Sequence, residues 1–186
     1  MRPEAVSYRS ILSRFGPILL IWRPSAVGAR VVAVILPGGA GGPDEALRER
    51  FPGARPDAHP VMDHMAHEIG RFLEGDPVTF TLELLDLEVC TPFQRRVLPV
   101  EFQVPRGRVT TYGRLADRIA APGAARAVGR ALARNPFPLI IPCHRCIRES
   151  GHLGGFRGGL TMKRALLEME GIVFDHMGKV PREYFW

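Results

Sequence analysis

The chain has 186 residues, a hydrophobic content of 46% and a formal net charge of +6 at pH 7. This length is enough for one substantial domain or two small ones, and we expect two small lobes. The longest apolar stretches are far shorter than the roughly 20 residues of a membrane helix, so we expect no association with a membrane. The N-terminal residues do not resemble a secretory signal, and we expect a cytoplasmic protein.

Charge and cysteine content narrow the class of protein further. The stretch from Arg106 to Arg164 holds twelve Lys and Arg residues against two acids, a bias that is typical of a phosphate-binding surface. The three cysteines, Cys90, Cys143 and Cys146, cannot form a complete disulfide framework, because an odd number leaves at least one thiol free. We therefore expect reduced, intracellular chemistry.

The first segments of the chain predict a small sheet. β-favouring residues dominate 6–12, 17–22 and 31–36, and the breaks between them fall at Gly16 and at 24–28. Short apolar runs separated by turn residues are typical of an antiparallel meander, so we expect three consecutive strands.

Helical spacing follows this predicted sheet. Residues 43–51 and 61–73 predict two helices, and the second is expected to end at Gly75-Asp76-Pro77. Residues 78–89 look extended or linker-like. We place a domain boundary after residue 89, because Thr91-Pro92 supplies a hydroxyl cap and a first-turn proline for a new helix.

The second half of the chain predicts a helix-turn-helix. Pro99 is expected to cut short the helix that starts at Pro92. Thr111 can cap a short helix that ends near residue 119 or 120, and Pro122-Gly123 then forces a turn. A second helix over 124–134 should end at Asn135-Pro136, which cannot continue it.

This second helix presents two rows of residues at four-residue steps. The rows are Ala125, Gly129 and Ala133, which are small, and Arg126, Arg130 and Arg134, which are cationic. A smooth face can approach the minor groove of DNA, which is only about 6 Å wide. An equally acceptable interpretation is a small-residue seam packed against another helix, with arginines at its solvated edge.

The motif Ile141-Pro142-Cys143-His144-Arg145 places a thiol beside an imidazole, after an apolar run at 138–141 that we expect to be extended. A cysteine reacts as its thiolate, and a free thiol with a pKa of about 8.5 is mostly protonated at neutral pH. We expect His144 and Arg145 to lower the pKa of Cys143.

From residue 91 to 171 the chain resembles the methylated-DNA protein-cysteine methyltransferases, also called O6-alkylguanine-DNA alkyltransferases. The segments that match, in order, are Thr91-Pro92-Phe93-Gln94, Thr111-Tyr112, 124–129, Asn135-Pro136, 141–145, Gly158-Gly159-Leu160 and 163–170. An ordered set over about 80 residues is far more specific than the Pro-Cys-His-Arg tetrapeptide alone.

The resemblance implies a suicidal DNA repair reaction. Cys143 would accept the alkyl group of O6-alkylguanine, and of O4-alkylthymine, and become a permanent S-alkylcysteine. His144 would help to deprotonate Cys143 through a bound water, and Glu170 would orient the imidazole. Tyr112 would donate its hydroxyl proton towards guanine N3, so that the base leaves without a negative charge.

The same resemblance implies binding of double-stranded DNA through the minor groove with the target base flipped out. Arg126 would fill the vacated space, and the other DNA-binding residues would be Ala125, Gly129, Arg130 and Ala133. The substrate pocket would include Asn135, Pro138, Cys146, Phe156, Arg157 and Lys163. Asn135 would act as the hinge before the active site, and Lys163 would aid substrate binding or stabilise nearby charge.

Three pocket positions depart from the family pattern. Cys146 stands where valine or isoleucine is usual, Phe156 where tyrosine is frequent, and Arg157 where a smaller residue is common. The width of the pocket is therefore open, and Cys146 is either a small apolar substitute or a partner for Cys143 in a disulfide formed under oxidation.

The implied fold class is α+β. Residues 1–89 would form a small N-terminal antiparallel sheet-plus-helix lobe of the RNase H-like kind. Residues 90–186 would form a mostly helical winged-helix or helix-turn-helix lobe. We expect a monomer with no cofactor and no metal, since His59, His64 and His67 alone make a poor structural zinc site.

Three other classes fit the cysteine motif less well. A zinc deaminase also needs an upstream H-x-E tripeptide, which the sequence lacks. A thioredoxin-like oxidoreductase needs C-x-x-C to open a helix in a βαβ unit. A non-catalytic alkyltransferase-like lesion sensor would have another residue, commonly tryptophan, in place of Cys143.

Overall fold

The computed structural model describes residues 6–26, 28–38 and 41–186, and they form two compact units that divide between Val89 and Cys90. The first unit carries a four-stranded sheet with two helices, and the second carries four helices and a two-stranded sheet. The predicted α+β class is confirmed. Within the described ranges, no helix is both long and apolar enough to span a bilayer. The N-terminal residues on which the signal-sequence argument rests lie outside these ranges.

The sheet of the first unit is the predicted meander with one added strand. Strands β1 (Ser7–Ile11), β2 (Ile18–Ser25) and β3 (Gly28–Ile35) pair antiparallel in sequence order. The short β4 (Arg55–Pro56) pairs parallel to β1, which the sequence did not indicate because two residues carry no periodicity. The buried side chains of β2 and β3 form a large part of the core of this unit.

The predicted break at 24–28 is shorter in the structure, because β2 continues through Pro24 to Ser25. The pairing of β2 with β1 stops at Trp22, whereas its pairing with β3 continues through Pro24. Beyond Trp22 the strand therefore needs hydrogen bonds on one side only, a position that tolerates the missing N–H of proline.

Two helices follow the sheet, as predicted. They are α1 (Gly42–Arg50) and α2 (Pro60–Glu74), and α2 ends at Gly75, whose φ of 105° is the left-handed conformation that favours glycine. Residues 78–89 contain no strand; their backbone makes a single bridge, from Leu85 to Val31, and a 3₁₀ turn at Leu87–Val89.

The second unit begins with helix α3 (Pro92–Phe102), which starts where predicted. The Thr91 hydroxyl accepts a hydrogen bond from the Gln94 N–H, and the Gln94 side chain accepts one from the Thr91 N–H. This reciprocal capping box satisfies two of the first-turn N–H groups. The expectation that Pro99 shortens the helix is wrong, since α3 continues to Phe102. Buried contacts of Val97, Leu98 and Glu101 hold its last turns in place of the one lost hydrogen bond.

The helix-turn-helix consists of α4 (Tyr112–Arg118) and α5 (Ala125–Ala133), and α3 packs against both. The Thr111 hydroxyl caps α4, as predicted, by accepting a hydrogen bond from the Arg114 N–H. Strand β5 (Thr110–Thr111) pairs parallel with β6 (Cys146–Ile147), which brings the start of α4 beside the Cys143 segment. The last helix is α6 (Gly159–Met169).

We expect Thr91→Ala to lower the free energy of unfolding of the second unit by about 1 kcal/mol, because the substitution removes the cap of α3. Thr161→Ala is the matched control, since Thr161 is exposed on α6 and makes no cap hydrogen bond; it should change stability by less than about 0.5 kcal/mol. Denaturant unfolding followed by circular dichroism measures both. Equal losses in the two variants would contradict the capping assignment.

Candidate active site

Cys143 lies in a buried 3₁₀ turn, Cys143–Arg145, that follows a tight loop after α5. The expectation of an extended run at 138–141 is wrong. The backbone folds back so that the Ile141 N–H donates to the Phe137 carbonyl at 2.8 Å, with Leu139 at a φ of 73°. A non-glycine residue in that conformation is strained, and it persists only where its surroundings hold it.

The Asn135 side chain holds this loop. Its Nδ2 donates to the Ile141 carbonyl at 3.1 Å, and its Oδ1 accepts from the Phe137 N–H at 2.9 Å. Asn135 is 2% exposed, so both hydrogen bonds form out of contact with water. Asn135, which was expected to act as a hinge, thus closes the loop between α5 and Cys143 through two hydrogen bonds.

The Cys143 side chain opens into a pocket of about 370 Å³. Most of the predicted site residues line it: Tyr112, Gly129, Ala133, Asn135, Pro138, Cys143, Phe156 and Arg157. Leu132 and Gly155 also line it and were not predicted. Cys146 and Lys163, expected in the pocket, are buried and do not line it, and Ala125, Arg126 and Arg130 lie on α5 away from it.

The small-residue row of α5 is partly packed and partly open, because Ala125 and Gly129 are half-buried. Ala133 is exposed, and Gly129 and Ala133 both border the pocket, with the Tyr112 ring beside Gly129. Arg126 and Arg130 are exposed along the neighbouring row. The row of small residues therefore packs beside Tyr112 of α4 at Gly129 and opens to the mouth of the pocket at Ala133.

Glu170 joins His144 and Arg145 through a buried carboxylate. The His144 Nε2 lies 3.0 Å from Glu170 Oε1, and Arg145 donates from Nε to Oε2 at 2.9 Å and from Nη2 to Oε1 at 2.7 Å. Burial opposes ionisation of Glu170, yet His144 and Arg145 outweigh it and lower the pKa of Glu170 to about 2. A solvated surface position for Glu170 is excluded.

The resting thiol of Cys143 is protonated. Burial raises the pKa of Cys143 to about 11, although the Asn135 side chain acts in the opposite direction. The expectation that His144 and Arg145 lower this pKa is wrong for two reasons. Burial lowers the pKa of His144, so the imidazole is neutral, and the charge of Arg145 is neutralised by Glu170.

Tyr112 reaches the pocket from the first turn of α4, and burial raises its pKa. The hydroxyl therefore remains a proton donor across the physiological pH range. Gly154, at a φ of 68°, passes so close that a β-carbon built there would lie 2.9 Å from the Tyr112 hydroxyl. Glycine at this position leaves room for that hydroxyl.

Lys163 donates hydrogen bonds to the backbone around the pocket. Its ammonium donates to the carbonyls of Cys146 and Leu153 at 2.6 Å and of Gly155 at 3.3 Å. Burial lowers the pKa of Lys163, but three acceptors match the three donors of a charged ammonium. The side chain thus fixes the loop from β6 to the pocket wall and places a buried positive charge beside it.

Glu101 is a buried acid that the sequence analysis missed. Its side chain is 0% exposed on the inner face of α3, and neither carboxyl oxygen has a hydrogen-bond partner within the described residues. Gln94, Val97, Leu98 and Glu101 are spaced so that they share one face of a helix. This spacing in the sequence was enough to predict that Glu101 is buried. Burial raises the pKa of Glu101 to about 8, despite the opposing charges of Lys163 and Arg145.

The remaining sequence predictions concern the cysteines, the pocket residues Phe156 and Arg157, and a metal site. Cys90, Cys143 and Cys146 are all buried, and none of the three forms a disulfide within the described residues. The Phe156 ring packs edge-on to the His144 ring at 6.2 Å, and Arg157 donates to the Ala133 carbonyl at 2.9 Å. Within residues 6–26, 28–38 and 41–186, no group of three His, Cys, Asp or Glu side chains is arranged to hold a metal.

We expect Asn135→Ala to lower the free energy of unfolding by about 2–4 kcal/mol, because it leaves the buried Phe137 N–H and Ile141 carbonyl without partners. Gln103→Ala removes an exposed amide from the end of α3 and should change stability by less than about 0.5 kcal/mol. Thermal and denaturant unfolding of both variants tests this. A loss below about 1 kcal/mol for Asn135→Ala would show that the loop keeps its conformation without these two hydrogen bonds.

Comparison with protein families agrees with this geometry. The family model described as "6-O-methylguanine DNA methyltransferase, DNA binding domain" matches residues 92–172. The methylated-DNA–protein-cysteine methyltransferase of Methanothermobacter thermautotrophicus is 48% identical over 121 residues, which cover 64% of this chain and 68% of that protein. The protein of the same name from Mycobacterium tuberculosis is 48% identical over 103 residues, which cover 55% of this chain and 61% of that protein.

Solved structures extend the similarity to the first unit. The crystal structure of the Mycobacterium tuberculosis O6-methylguanine methyltransferase matches with a TM-score of 0.71 and 36% identity, covering 89% of this chain and 92% of that one. The structure of the same organism's OGT in complex with DNA matches with a TM-score of 0.70 and 34% identity, covering 88% and 92%. The identity and the coverage together show that the chain belongs to the methylated-DNA–protein-cysteine methyltransferase family.

Proposed function

We propose that this protein repairs alkylated DNA by moving the alkyl group of O6-alkylguanine, and of O4-alkylthymine, to the sulfur of its own Cys143. The observation that carries the proposal is the position of the Cys143 thiol in the wall of a pocket of about 370 Å³. Pockets of a few hundred Å³ bind small ligands, and a single extruded base is a ligand of that class. Family membership supports the same reaction.

The transfer is a single displacement. The Cys143 sulfur attacks the alkyl carbon, an S–C bond forms, and the bond from that carbon to guanine O6 breaks. The thiol must first lose its proton, and neutral His144 accepts it through a bridging water. Glu170 supports this role, because its carboxylate accepts a hydrogen bond from Nε2–H and so leaves Nδ1 as the basic nitrogen.

Tyr112 completes the proton balance at the leaving base. Its hydroxyl lies in the pocket and donates its proton to guanine N3 as negative charge develops there. The imidazolium of His144 then returns a proton, through water, to Tyr112. The net change is that the thiol proton moves to guanine, while Cys143 becomes a stable thioether. No step regenerates the thiol, so each molecule reacts once, and no cofactor takes part.

Helix α5 is the proposed DNA-binding element. Its row of small residues, Ala125, Gly129 and Ala133, fits the narrow minor groove, and Arg130 contacts phosphate at the edge of that row. Arg126, exposed on the same helix, enters the duplex and occupies the space of the flipped nucleotide. The protein acts as a monomer, because one helix and one pocket supply all of these contacts.

The alternative of a non-catalytic lesion sensor is disfavoured by the acceptor residue itself. Such a protein needs the pocket and the helix but not a thiol in the wall. Here Cys143 is present, and it is followed directly by His144 and Arg145, whose side chains both bind the buried carboxylate of Glu170.

Incubation with a duplex that contains one O6-methylguanine should add one methyl group to each protein molecule, and peptide mapping should place it on Cys143. Cys143→Ala should bind the duplex and gain no mass. Cys90→Ala is the matched control, because Cys90 is also buried but lies outside the pocket, and it should be methylated as fully as the natural protein. Binding without any gain in mass would favour the lesion sensor.

Arg126→Ala should slow methyl transfer from duplex DNA by about tenfold to a hundredfold, since extrusion of a base costs a few kcal/mol that the arginine offsets. Transfer from the free base O6-benzylguanine should change less than about twofold, because no base has to be flipped. Arg164→Ala, which removes an exposed arginine of α6, should leave both rates unchanged. Equal slowing of both reactions by Arg126→Ala would contradict the flipping role.

A further inference from the structure

Glu101 is a buried acid that the proposed chemistry does not use. Its carboxyl group is fully enclosed, and no N–H or O–H of the described residues donates to either oxygen. A buried carboxylate without donors is strongly disfavoured, whereas a protonated carboxyl carries no charge to solvate. The geometry therefore favours the neutral acid at rest, in agreement with a pKa that burial raises to about 8.

Several titratable groups of the active site lie within electrostatic range of this carboxyl. They come from α4, from the 3₁₀ turn, from β6 and from α6, and they are Tyr112, Cys143, Arg145, Cys146 and Lys163. The charged residues of α5, Arg126 and Arg130, are exposed. On α4, Arg114 and Arg118 engage Trp186, and Asp117 is exposed.

A direct structural link connects the end of α3 to the active-site turn. Arg145, which holds Glu170, also donates from Nη1 to the carbonyl of Val104 at 2.7 Å, one helical turn beyond Glu101. Lys163 bonds the carbonyl of Cys146 on the same segment. These hydrogen bonds connect the segment after α3, and α6, to the turn and strand that carry Cys143 and Cys146. The acid, the buried ammonium and the reactive thiol therefore lie on parts of the chain that are bonded to one another.

Two of these groups act on the thiol with opposite sign. The positive charge of Lys163 lowers the pKa of Cys143, and a negative charge on Glu101 raises it. While Glu101 is protonated, the ammonium acts on Cys143 unopposed. When Glu101 ionises, its charge cancels that of Lys163 in an interior where charges are weakly screened.

We propose that Glu101 is a positioning residue for alkyl transfer: its buried carboxyl must stay protonated for Lys163 to favour the Cys143 thiolate, so ionisation of Glu101 restrains the reaction at alkaline pH. This inference rests on the proposed function for its biological meaning. Glu101 does not touch the substrate and acts only through the charge that it presents to Cys143.

The test compares the natural protein with Glu101→Gln, which keeps the shape of the side chain but cannot ionise. The first readout is the rate of Cys143 modification by iodoacetamide between pH 6.5 and 9.5, followed by peptide mass. The second is the single-turnover rate of methyl transfer from a saturating O6-methylguanine duplex over the same range. Glu168→Gln, an exposed acid on α6 that pairs with Arg164, is the matched control.

Both rates should agree within about twofold between the natural protein and Glu101→Gln below pH 7. At pH 9.5 Glu101→Gln should react about tenfold faster, which corresponds to a thiol pKa lower by about one unit. Glu168→Gln should follow the natural protein at every pH. Should the buried amide unfold the chain, Glu101→Leu removes the same charge without a polar group and should give the same profile.

Parallel pH profiles for the natural protein and Glu101→Gln, or a uniform change at every pH, would overturn the inference. The iodoacetamide readout does not depend on DNA, which separates the two conclusions. If the natural protein takes no methyl group from the duplex at any pH, the proposed function fails. The thiol profiles still decide whether Glu101 controls the charge at Cys143.

Discussion

The carboxylate of Glu170 is the group on which the order of the active-site unit depends. It lies at the C-terminal end of α6, where the helix dipole disfavours a negative charge, and it is buried. Both costs are offset because Arg145 binds it through two nitrogens and His144 through a third. Arg145 also donates to the carbonyl of Val104, two residues after the end of α3. Glu170 therefore connects α6, the turn that carries Cys143 and, through Arg145, the segment that follows α3.

Local signals in the sequence were enough to predict most of the scaffold. The hydroxyl caps at Thr91 and Thr111 mark the starts of α3 and α4, and both are made in the structure by the predicted side chains. Gly75 ends α2 through its own conformation. These features depend on a few consecutive residues, so a pattern in the chain is sufficient to identify them. The order of motifs around Cys143 likewise led to the family before any geometry was known.

Features that depend on distant parts of the chain were not predicted. Pro99 remains within a helix because its neighbours are buried, and the loop at 138–141 is folded back by the side chain of Asn135. The pKa of Cys143 was expected to fall because two basic residues follow it in sequence. Its direction depends instead on burial, and on the fact that Glu170, far along the chain, has already engaged both neighbours.

The protonated resting state of Cys143 has a consequence for the lifetime of the protein in the cell. A molecule that reacts only once is lost as completely by a chance encounter with an oxidant or a small electrophile as by the intended repair. Because a thiol is a far poorer nucleophile than a thiolate, burial of the sulfur preserves each molecule until a base fills the pocket. Burial therefore lowers the reactivity of the thiol at rest and lengthens the time for which each molecule stays intact. The number of intact molecules then limits how much damage a cell can remove.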